Sequence, residues 1–581
     1  MATQTQVPSQ LKTAATTSVF CSQYSANMQS ASQDNSYPLS VQLSTTSPTT
    51  CTFDVEYGDY ISGISLVCML PAIVNVTTGK VNEVGLLDLN NNYRAIVPSA
   101  ANAVINTALD HTATGRVVRE GVAGNQIGVI AADHVSSLAS ERNTGSDFAA
   151  YFCDYAGARL IQCVQLLVNG KVRQSFTGSW LFVFNELYRT AAGKTAAAIG
   201  AADPSSVTDG KVSTAKKVEA LNGSQLEIEL PFFFSQSGDG CVGGGGGPFP
   251  RFQFSRSDAV QLRFSFNSLR SLVVNGAGLG DEVLTIVADR DATKMPVQTV
   301  TVADKVGHTS SVASYLTKLA VAPTRQDFSA SDFSVSVRVR EVYVDAATLK
   351  SQRNALYSAV VAQPHVSEGS TAGGVGSDIV LDTMKHAPLP THSITAYGRL
   401  YEHTVTNNHF ATKGAVDQLG GRQQPTLSRL AVQLGSTTLA SSHSTTHLTK
   451  RAAATYANSV PAPHYELYHF PFALTNPFPT TKRLTSVPHG CVMLNAMKGT
   501  KVVATPNVAA FKDHSSSGSG AAGINYSSGR GSAVGNSMTV VCHTLMMNTV
   551  TITPDASGKT EPAVTLGVEN LSQLAQGLLS N

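Results

Sequence analysis

The sequence predicts an all-β protein built as two antiparallel sandwiches in tandem. Three observations carry this. Short apolar runs, several with period-two alternation, recur along most of the chain between clusters of Gly, Pro, Ser and Asn, the pattern of a many-stranded sandwich. The 581 residues are too many for one ordinary domain, and GSTAGGVGS at 369–377 reads by composition as a flexible linker dividing them. Two short segments also recur in the same order in both halves. VQLLVNGKV (164–172) parallels LAVQLGSTTL (430–439), and LPFFFS (230–235) parallels FPFALT (470–475).

In chain order, residues 1–38 are polar and rich in Ser, Thr and Gln, and read as an arm. A first sandwich is expected over 39–345, with long loop-rich insertions at 72–150 and 267–332. Strands are expected at 39–71, 151–176, 226–235, 252–266, 284–288, 297–302 and 333–344. Val164, Leu166 and Val168 alternate with Gln165, Leu167 and Asn169, which suits a strand with one well-buried face. Asn169-Gly170 then marks a hairpin, because a type I′ turn needs positive φ at both central residues. The return strand leads into TGSWL and FNEL, a short amphipathic segment holding the one Trp of the chain. Trp180 is followed by Leu181, Val183 and Phe184, so it is expected to be buried, wedged between sheet and short helix.

Val335, Val337 and Val339 alternate with Ser336, Arg338 and Arg340 in the last strand of this half. Asp345 reads as the N-cap of a helix over 346–361, with Leu349, Leu356 and Val360 on one side. Helix and linker together fill 346–377. A second sandwich is expected over 378–560, with strands at 378–382, 392–401, 427–434, 465–474, 484–496, 500–504 and 537–552, and a tail over 561–581.

Charged residues make up 14% of the chain, well below the roughly 25% of an average soluble domain. Low charge suits a surface largely covered by neighbours. The net charge of +2 gives no basic field for wrapping nucleic acid, and no direct nucleic-acid binding is expected. The N-terminal MATQTQVPSQLKTAATT lacks the apolar core of a signal peptide, and the longest apolar segment, near Ile64–Val74, is interrupted by Pro71 and too short to span a bilayer. The expectation is a soluble chain made in the cytosol. None of the eight cysteines has CxxC spacing; Cys68, Cys163 and Cys542 read as small buried hydrophobes.

No motif assembles a reaction centre. AAGKT at 191–195 has Tyr188 where a phosphate-binding loop needs Gly. GDGCVGGGGG at 238–247 leads to Pro248 and Pro250, not to a helix that could offer amide donors to a phosphate. His443 and His447 have i, i+4 spacing without the Glu of a zinc protease and sit in an apparent loop. There is no nucleophile elbow and no paired carboxylates. The sequence therefore points to a protein that is not an enzyme and takes no cofactor or metal. Four sequons, at Asn75, Asn222, Asn525 and Asn570, leave surface glycan open without favouring a site.

Seven blocks resemble, in order, the major capsid proteins of nucleocytoplasmic large DNA viruses. VEYGDYISGISLVCMLPAI, with Gly58-Asp59 and Leu70-Pro71, looks like that family's Gly-Asp-led strand ending in Leu-Pro. The hairpin at Asn169-Gly170 with Gly-Ser-Trp180-Leu and Asn-Glu-Leu is the most specific block. LEIELPFFF (226–234), with Pro231, looks like its Leu-Pro-Phe strand, and FQFSRSDAVQLRFSF (252–266) like the strand after it. VRVREVYVDAATLKSQRNAL (337–356) is similar to the strand and Asp-capped helix closing its first domain. LSRLAVQLGS (427–436) and YELYHFPFALTNP (465–477) are similar to strands of its second. Pro488-His489-Gly490 departs from the family pattern in lacking a following Ser-Arg.

The resemblance implies two tandem eight-stranded antiparallel jelly rolls with loop insertions. It implies homotrimeric, pseudo-hexameric capsomers tiling an icosahedral shell in the virion, with minor capsid and penton proteins as partners and an internal viral membrane reached through adaptor proteins. A capsid protein of a smaller double-jelly-roll virus or virophage is the nearest alternative, and the Gly-x-Trp-Leu block favours the large-virus family. A β-sandwich carbohydrate-binding or adhesin protein is a remoter one, disfavoured by a single Trp and no signal peptide.

Overall fold

The computed structural model describes residues 30–77, 151–189, 223–274, 317–381, 389–416, 423–472, 491–507 and 537–566, apart from short gaps within them, together with strand segments at 82–87, 93–95, 282–288, 300–303 and 309–312. The first half contains β1 (Ser30–Pro38), β2 (Thr49–Asp54), β3 (Tyr60–Leu70), β4 (Ile161–Val168), β5 (Lys171–Thr177), β6 (Ser224–Glu229), β7 (Val260–Phe266) and β8 (Ser334–Val344). They form two antiparallel sheets, β1-β8-β3-β6 and β2-β7-β4-β5. First pairs with last, second with seventh, third with sixth and fourth with fifth, which is what a long hairpin wound on itself produces.

The second half repeats the winding. Its strands are β9 (Tyr357–Ser370), β10 (Ile379–Leu381), β11 (Thr391–Leu400), β12 (Leu427–Leu434), β13 (Thr437–Leu439), β14 (Tyr468–Pro471), β15 (Lys501–Pro506) and β16 (Met538–Thr553). The sheets are β9-β16-β11-β14 and β10-β15-β12-β13, the same order position by position, with β17 (Ala563–Leu566) added on β16. Both repeated segments seen in the sequence fall at equivalent places. VQLLVNGKV and LAVQLGSTTL form the β4–β5 and β12–β13 hairpins, and the two aromatic–Pro segments lie at the ends of β6 and β14.

Several boundaries differ from the sequence reading. Ser30–Pro38, expected in an N-terminal arm, is the edge strand β1, tied to β8 by backbone pairing and by Asp34–Arg340 at 3.0 Å. The helix expected over 346–361 ends at Gln352. Tyr357, Ala359 and Val361 instead turn inward on β9, whose 14 residues all pair with β16. A run of β-branched and aromatic residues with a ready partner strand outweighs weak helical periodicity. The linker therefore narrows, since Gly369 and Ser370 are still strand, and residues 371–376 lie outside the described set. The second roll begins at Tyr357 and runs to Leu566, not 378–560. LPFFF is not a strand: β6 stops at Glu229 and the chain turns, with Ser235 N donating to Phe232 O, because Pro231 has no N–H to extend the ladder.

The two insertions are also more ordered in plan than loops. Ile73–Thr77, Asn82–Leu87 and Tyr93–Ala95 from one share a five-stranded sheet with Glu282–Ala288 and Thr317–Phe328 from the other. Long excursions need partners for their backbone groups, and here each insertion supplies the other's.

The larger hydrophobic core crosses the boundary between the rolls. It joins Val164, Leu166, Phe232, Phe264 and Val337 of the first roll to Tyr357, Val361, Tyr397, Val541, Leu545 and Leu566 of the second. A smaller cluster, including Ile394, Ala396, Val432, Tyr468, Val502 and Val540, fills the second roll alone.

Candidate functional site

The feature most unusual in physical terms is the seam between the rolls, built around the Gly-Ser-Trp180-Leu block. Asn169 (φ 52°) and Gly170 (φ 74°) make the tight turn between β4 and β5, and Asn169 Nδ2 donates to Pro562 O at 3.0 Å, so the turn also holds the C-terminal segment. After β5 the chain enters α2 (Gly178–Leu187), whose first turn is capped by Thr177 Oγ1 accepting from Trp180 N at 3.3 Å. α1 (Ala156–Leu160) packs against its start. A Cβ at Gly178 would stand 1.9 Å from Ala158 O and 2.3 Å from Ile161 O, so only glycine admits this approach.

Nine of the ten residues of α2 are buried. The segment is therefore not the amphipathic element the sequence suggests but a fully enclosed wedge, and its far side is covered by the second roll. Trp180 (2% exposed) is on the helix itself and packs against His543 of β16, with ring centroids 6.0 Å apart. Phe182 meets Tyr397 at 5.7 Å, Phe410 at 4.8 Å and Tyr465 at 5.2 Å, all from the second roll. Aromatic contacts of this kind add to simple area burial.

The end of α2 is capped from across the seam. Leu187 O accepts from Asn458 N at 2.9 Å and Ser459 N at 3.0 Å, and Glu186 O from Ser459 Oγ at 2.6 Å. These satisfy carbonyls that a helix end otherwise leaves orphaned. The Glu186 carboxylate, 1% exposed, accepts from Tyr155 Oη and from Ala462 N at 2.8 Å. Burial beside that carboxylate pushes the Tyr155 phenol well up. A reciprocal glutamine pair adds to the tie. Gln174 Nε2 of β5 donates to Ala362 O, and Gln363 Nε2 of β9 donates to Arg173 O, both at 3.0 Å. Glu561 accepts from Ser255 N and Arg256 N of the first roll.

The remaining sequence-selected residues lie outside the seam. Gly58 (φ 85°) sits where a Cβ would stand 3.0 Å from Glu341 Cβ, and Asp59 accepts from Val344 N at 2.9 Å, fixing the start of β3 to the end of β8. Pro231 is buried in the turn after β6. Asp345 caps α3 (Ala346–Gln352) by accepting from Thr348 N at 2.9 Å, and these bonds lower its pKa. Asn75 lies on the strand Ile73–Thr77, whereas Asn222, Asn525, Asn570 and His443 fall outside the described residues. His447 begins a helical turn, His447–Arg451, and not a loop. Among the described residues no group of three His, Cys, Asp or Glu side chains could hold a metal, and no helix is long and apolar enough to cross a membrane. Burial raises the Cys68 and Cys542 thiols to about 12, which makes them inert packing groups.

Sequence reasoning missed Glu186, Gln174 and the histidines of β11, β14 and β16. Their signal is faint: a polar residue inside an otherwise strand-like or apolar run.

With this geometry in place, comparison with known structures decides the architecture. The crystal structure of VP54 of PBCV-1, fitted into a reconstruction of the virophage Sputnik, aligns over 94% of this chain and 98% of its own, at 11% identity and a TM-score of 0.53. A quasi-atomic PBCV-1 virus capsid aligns over the same shares at 12% identity and 0.51. The Faustovirus major capsid protein aligns over 91% of each chain at 11% identity and 0.48. The fold is a double jelly roll. Likeness at such identity establishes the architecture and leaves function to the chain's own features. No protein-family model and no curated protein matches the sequence.

Proposed function

We propose that this double jelly roll is a viral major capsid protein and that its function is assembly. The observation that carries the reading is the pairing of two rolls of the same winding through one shared core. A brick of two like wedges, taken three times about an axis, presents six similar sides. That is the unit a quasi-hexagonal shell needs, and closed symmetric oligomers are the ordinary way to build it. The low charge of the chain, 14%, fits surfaces covered by neighbours. The Gly-x-Trp-Leu block at Trp180 favours the large-virus family over the virophage alternative.

On this reading the chain forms homotrimeric capsomers that tile an icosahedral shell in the virion. It contacts minor capsid and penton proteins, reaches any internal membrane through adaptors, and binds no nucleic acid directly. It is made in the host cytoplasm and catalyses nothing. The insertion sheet would form the outward tower, since insertions carry contact function. Size-exclusion chromatography with light scattering tests the core of the proposal. A mass of three chains, retained on dilution to micromolar, is expected; a monomer under those conditions would sink it.

A further inference from the structure

The second-roll sheet that covers α2 carries a row of side chains in strict cross-strand register. His543 of β16 is opposite Thr395 of β11, and Thr395 is opposite His469 of β14. Directly opposed residues share a face of the sheet, and this face looks at the first roll. Trp180 covers His543 and Tyr188, just past the end of α2, stands edge-on to His469 at 6.1 Å. Tyr397 stacks on His543 from within β11 at 6.0 Å. The two imidazoles are 1% and 0% exposed. His469 Nδ1 lies 3.0 Å from Thr395 Oγ1, while its Nε2 and both ring nitrogens of His543 have no hydrogen-bond partner in the protein.

We propose that the row His543–Thr395–His469 is an acid-operated latch: the rolls stay closed on α2 only while both imidazoles are neutral, and protonation opens the seam. A charged ring here would lose its hydration and meet apolar aromatic surface in place of a counter-ion. The titratable neighbours do not help it. Around His543 stand His365 of β9 and Tyr397 of β11; around His469 stand His392 of β11 and Tyr188. Glu186 of α2 is engaged by Tyr155 and Ala462. Farther along β11, Arg399 lies 3.7 Å from Glu368 and, with Arg159, bears on His409. Burial first, and the histidine neighbours second, hold His543 and His469 down to about 3.

The sign follows from these depressed values. The histidines favour the closed state fully above the ordinary imidazole value near 6.5, and that support is lost progressively as pH falls toward about 3. Each multiplies the open-to-closed ratio about tenfold per pH unit below roughly 6.5, so the pair gives about a hundredfold per unit. Glu466, raised to about 6 by burial among second-roll residues, offsets part of the acid loss of the thermal midpoint, since acid favours its folded, neutral form.

The chain carries its own reporter, because its one Trp sits on His543. Full-length protein is titrated from pH 7.5 to 4.5 while Trp180 emission and the thermal midpoint are recorded. Emission is expected to be blue at pH 7.5 and to shift red on acidification, with the midpoint falling in parallel. His543→Phe keeps a ring, and His469→Gln keeps a partner for Thr395. Each should reduce the slope of the logarithm of the open-to-closed ratio against pH by about one, and the double variant by about two. A wild-type profile flat across this range, or a double variant with the full wild-type slope, would overturn the latch. Should the variants not fold, NMR titration of the wild-type rings decides: either histidine ionising near 6.5 in the closed protein rejects it.

Discussion

The two rolls share one winding yet bury very different chemistry at equivalent places. After its β4–β5 hairpin the first roll places α2, buried on nearly every side and dominated by Trp, Phe, Val and Leu. After the β12–β13 hairpin the second roll places the turn His447–Arg451 and α4 (Ala452–Tyr456), where Leu448, Ala452 and Ala453 are buried but Lys450, Arg451 and Thr455 face solvent. The third strand differs in the same way. In β3 the inward side chains are Ile64, Leu66 and Cys68; in β11 Thr391, His392, Ser393 and Thr395 are as buried as any leucine. The difference teaches that topology does not assign polarity. The second roll has two covered faces, one on its own core and one on its neighbour, and the second cover tolerates polar groups because strands and helix ends partner most of them.

Removing the wedge should have the largest effect. Trp180→Ala is expected to cost about 3–5 kcal/mol from lost burial and the cavity left at the seam. Denaturant unfolding would show it, and a cost below about 1 kcal/mol would mean that α2 does not depend on the second roll. Gly178→Ala should cost about 3 kcal/mol, the upper end of overpacking penalties, because two backbone carbonyls must move. A retained melting midpoint would contradict the close approach of α1 and α2.

Glu186→Gln keeps the shape but weakens the bonds to Tyr155 and Ala462. About 2 kcal/mol should be lost, the scale of hydrogen bonds to a charged group. Limited proteolysis should then cut near 458–462 sooner than in the parent. Glu466→Gln should act in the other direction. Burial raises this carboxyl to about 6, so the native state resists its ionisation: the penalty is absent below about 4.5, grows as pH rises, and is complete above about 6. The variant should be more stable by about 1–2 kcal/mol at pH 7.5 and equal to the parent near pH 4.5. The smallest effect belongs to Asp345→Ala, since α3 buries no side chain; the melting midpoint should hardly move, and a large fall would place α3 in a contact not seen in the single chain.

Where one face was buried and the other wet, the sequence was legible. Val335, Val337 and Val339 announced β8, and Asn169-Gly170 announced its hairpin because few other pairs accept those angles. The position of Trp180 was partly legible: burial followed from its neighbours, but its contact with His543, 363 residues later, left no local trace. β11 reads as a polar segment, and nothing in THSITAYGRL says that both faces are covered. The boundary at 346–377 was misplaced because Leu349, Leu356 and Val360 fit a helical spacing, while the decisive partner, β16, lies nearly 200 residues downstream. Interactions of that range are settled by tertiary pairing and not by local preference.

The seam also sets a schedule. On the ribosome, Trp180 and the other side chains of α2 emerge long before the strands that cover them, and Val564 and Leu566 of β17 join the shared core only near the end of the chain. At about 5–20 residues per second, the 363 positions from Trp180 to His543 take on the order of tens of seconds. For that time the nascent first roll displays an aromatic helix with one side open. The open side fits the second roll of any neighbouring nascent chain as well as its own. Crowded synthesis on shared messages should therefore favour exchanged pairs, and a holding chaperone that shields α2 until release would raise the yield of correctly closed chains.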